Sequence, residues 1–481
     1  MTLVRRSVRR RVARVVTPVA VMGLVLFSAC TGTAPAQDTE TVVSLSFDDS
    51  TSDQLAAAQV LDRLRLPATF FVISGYVGTE GYFTRADVDA LAEAGHEIGG
   101  HTVLHPQLAQ VSEDEARREI CQDRQNLLEW GHPPRLLAYP FSSTDESVAG
   151  AAQFCGYNGA RLVGGLNMLR DCKGCSRLET IPATQPLAIR TPGQFDPTWS
   201  LDQMKQLVLD ARATGRGWLP LVFHHICDGC TNNAVSLATF TAFADWLDEQ
   251  RARGLVVKTM GDVVGGPIGP VPDQPFGAPL DVPANRDLRD RLPDGRPVCW
   301  TFTPSGENTA TITTVPARDG SVTAERIDVH DHVTGDAKLL PTMDLGECAP
   351  VAAADHRYRL TTWYQSDAEV QYAVYRRDRT GGWSYWTSSP FFQASSQWAQ
   401  ATWITPAAPA DTTGISFGLS LSTDGFLVVE SSSMTSAVNA FAPFFGTPRR
   451  LAFSVATSTV GLVLLSVLWL MWRRRQAERT S

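Results

Sequence analysis

Apolar and polar residues alternate along residues 42–47. Val43, Leu45 and Phe47 fall on one side of an extended chain and Ser44 and Ser46 on the other, which predicts a strand. The run stops at two adjacent carboxylates, Asp48 and Asp49, placed at the strand's C-terminal end. Further apolar runs at residues 68–73, 97–100, 136–140, 160–163, 219–224 and 255–258 predict strands, with helices between them. The clearest helices are residues 112–130, opened by the capping-box sequence Ser112-Glu113-Asp114-Glu115, and residues 237–253. Strands alternating with helices imply an α/β fold built on a mostly parallel sheet. The pattern alone does not separate an open sheet from a barrel.

Residues 267–297 are rich in Pro, Gly and Asp and lack periodicity, so they read as a linker. Beyond it the pattern changes class. Short β-rich runs at residues 301–303, 310–315, 358–364, 370–376, 415–421 and 426–430 predict an all-β sandwich over residues 298–440. Six of the twelve tryptophans lie there: Trp300, Trp363, Trp383, Trp386, Trp398 and Trp403. They could stack on sugar rings or simply fill a core.

The two ends read as membrane-related. Residues 1–36 have the order of a secretory signal: six arginines between Arg5 and Arg14, an apolar stretch, then small residues ending in Ala34-Pro35-Ala36. Phe27-Ser28-Ala29-Cys30 loosely matches a lipoprotein box, making Cys30 a candidate lipid-bearing residue. Residues 451–472 are uncharged and long enough to span a bilayer as one helix, and residues 473–481 open on Arg473-Arg474-Arg475, the mark of a cytoplasmic tail. The expectation is an exported protein held in the cell membrane by its C-terminus, with its domains outside.

Charge and cysteine content refine this. Setting aside +6 in residues 1–36 and +3 in residues 473–481 moves the formal charge from -8 to -17, which argues against nucleic acid as a partner. Of nine cysteines, eight remain beyond Cys30, and an even number suits an oxidising exterior. Cys172-x-x-Cys175 and Cys227-x-x-Cys230 imitate a four-thiolate zinc site. Outside the cell we expect disulfides instead: bridges between these two pairs, a Cys121 to Cys155 bond and a Cys299 to Cys348 bond.

The candidate chemistry lies in two motifs. Leu45-Ser46-Phe47-Asp48-Asp49-Ser50 is followed about fifty residues later by Gly95-His96-Glu97-Ile98-Gly99-Gly100-His101-Thr102-Val103-Leu104-His105-Pro106. His101 and His105 are four apart, a spacing that one helical turn would stack on one face as paired metal ligands. Asp49 could add an oxygen, giving a His-His-Asp set with open positions. Together the motifs resemble the polysaccharide deacetylases, the carbohydrate esterase family that includes chitin and peptidoglycan deacetylases, over roughly residues 41–266.

That resemblance implies an irregular (β/α) barrel and metal-dependent deacetylation of an N-acetylated or O-acetylated polysaccharide of the cell envelope, foremost hydrolysis of the carbon–nitrogen bond of an N-acetylglucosamine-type polymer. Matched residue by residue, it makes Asp48 the general base and Asp49, His101 and His105 the ligands of a divalent metal, most simply Zn²⁺. The backbone N–H of Phe141, in Tyr139-Pro140-Phe141, would help bind the oxyanion, and His224 would be the general acid. Three departures stand out. Ser50 replaces a usual Gly, Ala138 stands where many members carry an Arg that pairs with the base, and the Asp-Trp motif that orients the acid is not recognisable. Arg161 or Arg135 could supply the missing cation. The β-rich region resembles the jelly-roll carbohydrate-binding modules attached to many glycan enzymes. Rival readings are a catalytically inactive glycan-binding surface protein and a thiol oxidoreductase built on the Cys-x-x-Cys pairs. The first is weakened by survival of base and ligands, the second by absence of the usual redox context.

Overall fold

The computed structural model describes residues 41–167, 172, 174–270, 272, 281–321 and 323–437. They form two compact units that part between residues 278 and 279. The expected signal, Cys30 and the apolar run 451–472 lie outside the described residues. Among the described residues no helix is long and apolar enough to cross a membrane.

The first unit contains β1 (Thr41–Phe47), β2 (Ala68–Val72), β3 (Glu97–Gly100), β4 (Leu136–Ala138), β5 (Gly159–Gly165), β6 (Ile189–Thr191), β7 (Gly217–Phe223), β8 (His225–Ile226), β9 (Ala234–Val235) and β10 (Val256–Val257). Its helices are α1 (Leu55–Leu64), α2 (Arg85–Glu93), α3 (Glu113–Glu129), α4 (Glu146–Phe154), α5 (Leu201–Thr214), α6 (Leu237–Arg251) and α7 (Met260–Val264). All ladders of the main sheet are parallel, in the order β7-β1-β2-β3-β4-β5-β6. Along one edge β1 pairs with β7 from Thr41 to Phe47; along the other, β10 takes Val42 and Val43 and β2 takes Leu45 to Phe47. No ladder joins β6 to β7 among the described residues, so the barrel is open there.

β1 is buried on both faces, as strands in helix-covered parallel sheets are. Val43, Leu45 and Phe47 join the apolar layer under α1 and α6 with Ala57, Phe240 and Phe243. Phe47 stacks on Phe70 at 4.7 Å and Phe223 at 5.3 Å between ring centres. On the other face Ser44 accepts a hydrogen bond from Trp218 Nε1 at 2.9 Å, and Ser46 donates to the Leu221 carbonyl at 2.9 Å. The serines are thus interior residues that strand-to-strand contacts satisfy. Ser112 caps α3 by accepting the Glu115 N–H at 3.1 Å, while the Glu115 carboxylate pairs with Arg118.

The second unit comprises β11 (Trp300–Ser305), β12 (Thr309–Val315), β13 (Ala324–His330), β14 (Asp336–Pro341), β15 (Tyr358–Ser366), β16 (Gln371–Arg377), β17 (Trp383–Ser388), β18 (Ser395–Ile404), β19 (Gly414–Leu421) and β20 (Gly425–Ser436). Two antiparallel sheets, β11-β14-β19-β16-β17 and β12-β13-β20-β15-β18, enclose a shared core that includes Ile327, Leu360, Tyr372, Phe417 and Leu427. Trp300, Trp386 and Trp403 belong to or pack against this core, while Trp363 lies beneath the Arg318 guanidinium at 3.9 Å.

The described parts of the expected linker are fastened to their own units. Pro267 and Gly269 carbonyls accept hydrogen bonds from Asn158 and Arg124; Leu288 is buried in the sandwich core. The disulfides Cys121–Cys155 and Cys299–Cys348 are present. The expected bridges between the two Cys-x-x-Cys pairs are not: Cys172 bonds Cys175 and Cys227 bonds Cys230. Each turn brings its own Cα atoms within 5.3 and 5.9 Å, inside the bridging range, so each pair closes on itself. These bonds also leave no four thiolates for zinc. Non-reducing peptide mapping should therefore find both pairs as internal loops within single peptides; a cross-linked peptide joining the two loops would overturn this pairing.

Candidate active site

The carboxylates sit where a parallel sheet concentrates chemistry, at the C-terminal ends of its strands. Asp48 follows β1 directly, donates its N–H to the Phe223 carbonyl at 3.0 Å, and is 2% exposed. Asp49 and Ser50 then adopt φ of 75° and 52°, turning the chain sharply at a cost of roughly 1–2 kcal/mol per non-glycine residue. Ser50, in place of glycine, uses its side chain: Oγ accepts the Ile73 N–H at 3.2 Å and so pins the loop after β2.

The two histidines are not on a helix. His101 directly follows β3, its N–H bonded to the Val72 carbonyl at 3.0 Å. His105 returns to it through a loop in which Thr102 (φ 67°) and His105 (φ 59°) are left-handed, and the Thr102 hydroxyl accepts the His105 N–H at 3.0 Å. The spacing of four therefore pairs the imidazoles by loop reversal, not by helical stacking. His105 Nε2 lies 3.2 Å from His101 Nε2. Asp49 Oδ1 is 3.3 Å from His101 Nε2 and 3.2 Å from His105 Nε2.

Three donors 3.2–3.3 Å apart are close enough to share one ion at the usual ligand distances of about 2.0–2.2 Å. The donor chemistry fits as well. His101 Nδ1 is engaged by the Ala138 carbonyl at 2.7 Å, which keeps that proton on Nδ1 and leaves Nε2 free to ligate. Asp49 Oδ1 is buried with no well-formed hydrogen bond, a deficit that a cation would relieve. Burial works against the charge of Asp49, but the facing imidazoles outweigh it and hold its pKa well down.

Asp48 has a cation partner that the motif lacks. Arg161, on β5 and fully buried, donates from Nη2 to Asp48 Oδ1. Ala138 on β4 is the register partner of Arg161, so the cation reaches the same carboxylate from the next strand. Its guanidinium rests 4.7 Å from the Phe71 ring centre. Arg135 points elsewhere, donating to the Gly266 carbonyl at 3.4 Å.

β7 ends at Phe223, so His224 and His225 diverge. His224 Nε2 lies 3.8 Å from Asp48 Oδ2. Its Nδ1 is buried without a partner, in keeping with the missing Asp-Trp motif, and burial lowers its pKa despite the nearby carboxylates. His225 faces away and pairs with Asp53 Oδ2 at 3.0 Å. Phe141 is left-handed at φ 54°. The hydrogen bonds of its turn run from Ser142 N–H to Tyr139 and from Ser143 N–H to Pro140; neither uses the Phe141 N–H. The Phe141 ring is 66% exposed and meets His105 edge-on at 4.6 Å.

One member of the site carried no sequence signal. Gln54, fully buried, donates from Nε2 to the backbone carbonyls of both Asp48 and His224, tying together the two loops that carry these residues. A glutamine just past a strand end looks like any polar loop residue, and only its burial exposes the role.

Removing Arg161 should strand a buried carboxylate. Arg161→Met is expected to lower unfolding stability by about 3–5 kcal/mol, and adding Asp48→Asn should recover much of the loss. Urea unfolding of the two single variants and the double variant checks this; additive losses would break the pairing.

Residues 36–160 match the family model described as polysaccharide deacetylase. A peptidoglycan-N-acetylglucosamine deacetylase of Bacillus cereus is 31% identical over 121 residues, covering 24% of this chain and 54% of the relative. A chitooligosaccharide deacetylase of Bradyrhizobium is 37% identical over 81 residues, covering 16% of this chain and 35% of the relative. The chain thus spans about half or less of the length of these curated relatives. Among solved structures, a family 4 acetyl xylan esterase from Clostridium thermocellum in complex with a cobalt ion is 19% identical, with a TM-score of 0.34, over 48% of this chain and 94% of that one. Residues 36–160, which hold the two motifs in order, thus match the polysaccharide deacetylase family model.

Proposed function

We propose that the first unit is a divalent-metal-dependent hydrolase that removes acetyl groups from the amide nitrogen of an envelope polysaccharide. The observation that carries this reading is the donor triangle of Asp49, His101 and His105, with sides of 3.2–3.3 Å, beside Asp48 and His224. These three residues would hold the ion, most simply Zn²⁺, which when bound polarises an acyl oxygen and acidifies water. Asp48, oriented by its bond from Arg161, would accept the proton of the attacking water. The Phe141 N–H would meet the charge developing on the acyl oxygen. His224 would donate a proton to the departing amine.

The names of the relatives, one an N-acetylglucosamine and one a chitooligosaccharide deacetylase, support an amino-sugar polymer as substrate. The signal-like residues 1–36 and the apolar run 451–472 support export and membrane anchoring, and Cys30 is a second candidate anchor. In that setting the sandwich would add grip on the same polymer. Acetate release from cell-wall glycans, chitooligosaccharides and acetylated xylan, with and without chelator, tests the reading; no release from any of them would defeat it.

The purified protein should carry about one divalent ion, and Asp49→Ala, His101→Ala or His105→Ala should each strip it. Full occupancy in all three variants, measured by elemental analysis, would remove the assignment. His224→Ala should keep the metal and lower turnover by roughly 10² to 10⁴, whereas His225→Ala, whose partner is Asp53, should cost far less. Steady-state kinetics with metal content measured in parallel separates the two histidines.

A further inference from the structure

The loop between His101 and His105 is irregular, and three of its carbonyls are gripped from outside. The Thr102 carbonyl accepts the Ser74 N–H at 3.2 Å and the Val103 carbonyl accepts the Gly75 N–H at 3.0 Å. The Leu104 carbonyl accepts the Tyr76 hydroxyl at 3.1 Å. These bonds fix only the carbonyl side of the loop. The N–H groups of Val103 and Leu104 both point the other way, to a single oxygen, Glu119 Oε2, at 2.9 Å each.

Glu119 is in the middle of α3 and only 1% exposed. A carboxylate buried this deeply is unfavourable unless hydrogen-bonded, and helix packing alone would favour an apolar residue there. Its burial is accounted for by what it binds: two consecutive N–H groups in the segment joining two left-handed residues, Thr102 and His105. Left-handed backbone at non-glycine residues persists only where the surroundings over-determine it. Rotating either gripped peptide would swing the His105 imidazole out of the donor triangle, and would break a bond to Glu119.

We propose that Glu119 is a positioning residue of the metal site: through the Val103 and Leu104 N–H groups it holds the loop in the conformation that presents His105 Nε2 beside His101 Nε2 and Asp49. The role rests on the reading of Asp49, His101 and His105 as metal ligands. Glu119 touches neither the ion nor the substrate, so its loss should weaken metal affinity while leaving the ligands in the chain.

The test measures Zn²⁺ affinity by chelator competition on the full-length protein and on Glu119→Gln and Glu119→Ala, with melting of the metal-free forms followed alongside. Glu179→Gln serves as a control. This buried acid accepts the Thr180 and Arg190 N–H groups near the start of β7, at the opposite end of the sheet. Both Glu119 variants should bind Zn²⁺ about 10 to 100-fold more weakly, with the glutamine, which keeps one acceptor oxygen, the less affected. Glu179→Gln should lower the melting temperature of the metal-free form without changing affinity. Should Glu119→Ala not fold, the isosteric glutamine carries the test. Wild-type affinity in a folded Glu119→Gln would overturn the proposal, as would an equal loss of affinity in Glu179→Gln. Absence of Zn²⁺ binding by the wild-type protein would instead defeat the metal reading of the site.

Discussion

Two carboxylates on consecutive residues at the end of a strand buried on both faces pose the constraint around which the first unit is arranged. Neither can be left uncompensated at low exposure without a penalty of several kcal/mol. The chain gives each a different partner. Asp48 receives a buried guanidinium, Arg161, from β5. Asp49, turned away by its left-handed backbone, receives two imidazole nitrogens, Nε2 of His101 and Nε2 of His105. The Arg161 bond gives the Asp48 carboxylate a fixed orientation within the core. A cation held between the Asp49 carboxylate and the two imidazole nitrogens would compensate it fully.

The same constraint explains why irregular backbone gathers here and regular backbone beneath. Strands β1, β2, β3, β4, β5 and β7 are short, parallel and buried, and they supply fixed end points. The residues that reach inward come just past those end points: Asp48, His101 and His224 directly after β1, β3 and β7, and Phe141 three residues after β4. Three of the turns involved use left-handed non-glycine residues: Asp49 and Ser50, Thr102 and His105, and Phe141 and Ser142. Such conformations are held by contacts from outside the turn, and those contacts are visible. Ser50 takes the Ile73 N–H, Thr102 takes the His105 N–H, and Gln54 takes hold of two carbonyls at once.

How much of this can be read from sequence follows from what each residue interacts with. Strands β1, β2, β3 and β7 are legible because parallel pairing buries them and demands apolar runs. In the sandwich β13 and β18 are not. β13 carries Arg326 and Asp328, which pair with each other half-buried, and β18, half of whose residues are polar, lies at a sheet edge. Cysteine pairing was legible for Cys121–Cys155 and Cys299–Cys348 and misread for the two Cys-x-x-Cys loops, where local turn geometry decides and spacing says nothing about it. Asp48, Asp49, His101 and His105 stand out because their chemistry is carried in contiguous motifs. Gln54 and Glu119 act on backbone groups, and any residue type can offer a backbone N–H or carbonyl. They leave no pattern at the positions they serve.

Arg161 lies between these cases and shows what the site demands physically. A cation beside the base is expected on β4, where Ala138 stands. In a parallel sheet, register partners on neighbouring strands lie about 4.8 Å apart, less than the length of an arginine side chain. An arginine on β5 opposite Ala138 can therefore reach the same oxygen, provided the β4 residue is small enough to let it pass. Alanine meets that condition, and the two substitutions make sense only as a pair: a large residue at 138 would block Arg161, and a short one at 161 would leave Asp48 unpaired. The requirement is for a positive charge within reach of the carboxylate, and the sheet offers more than one strand from which to meet it.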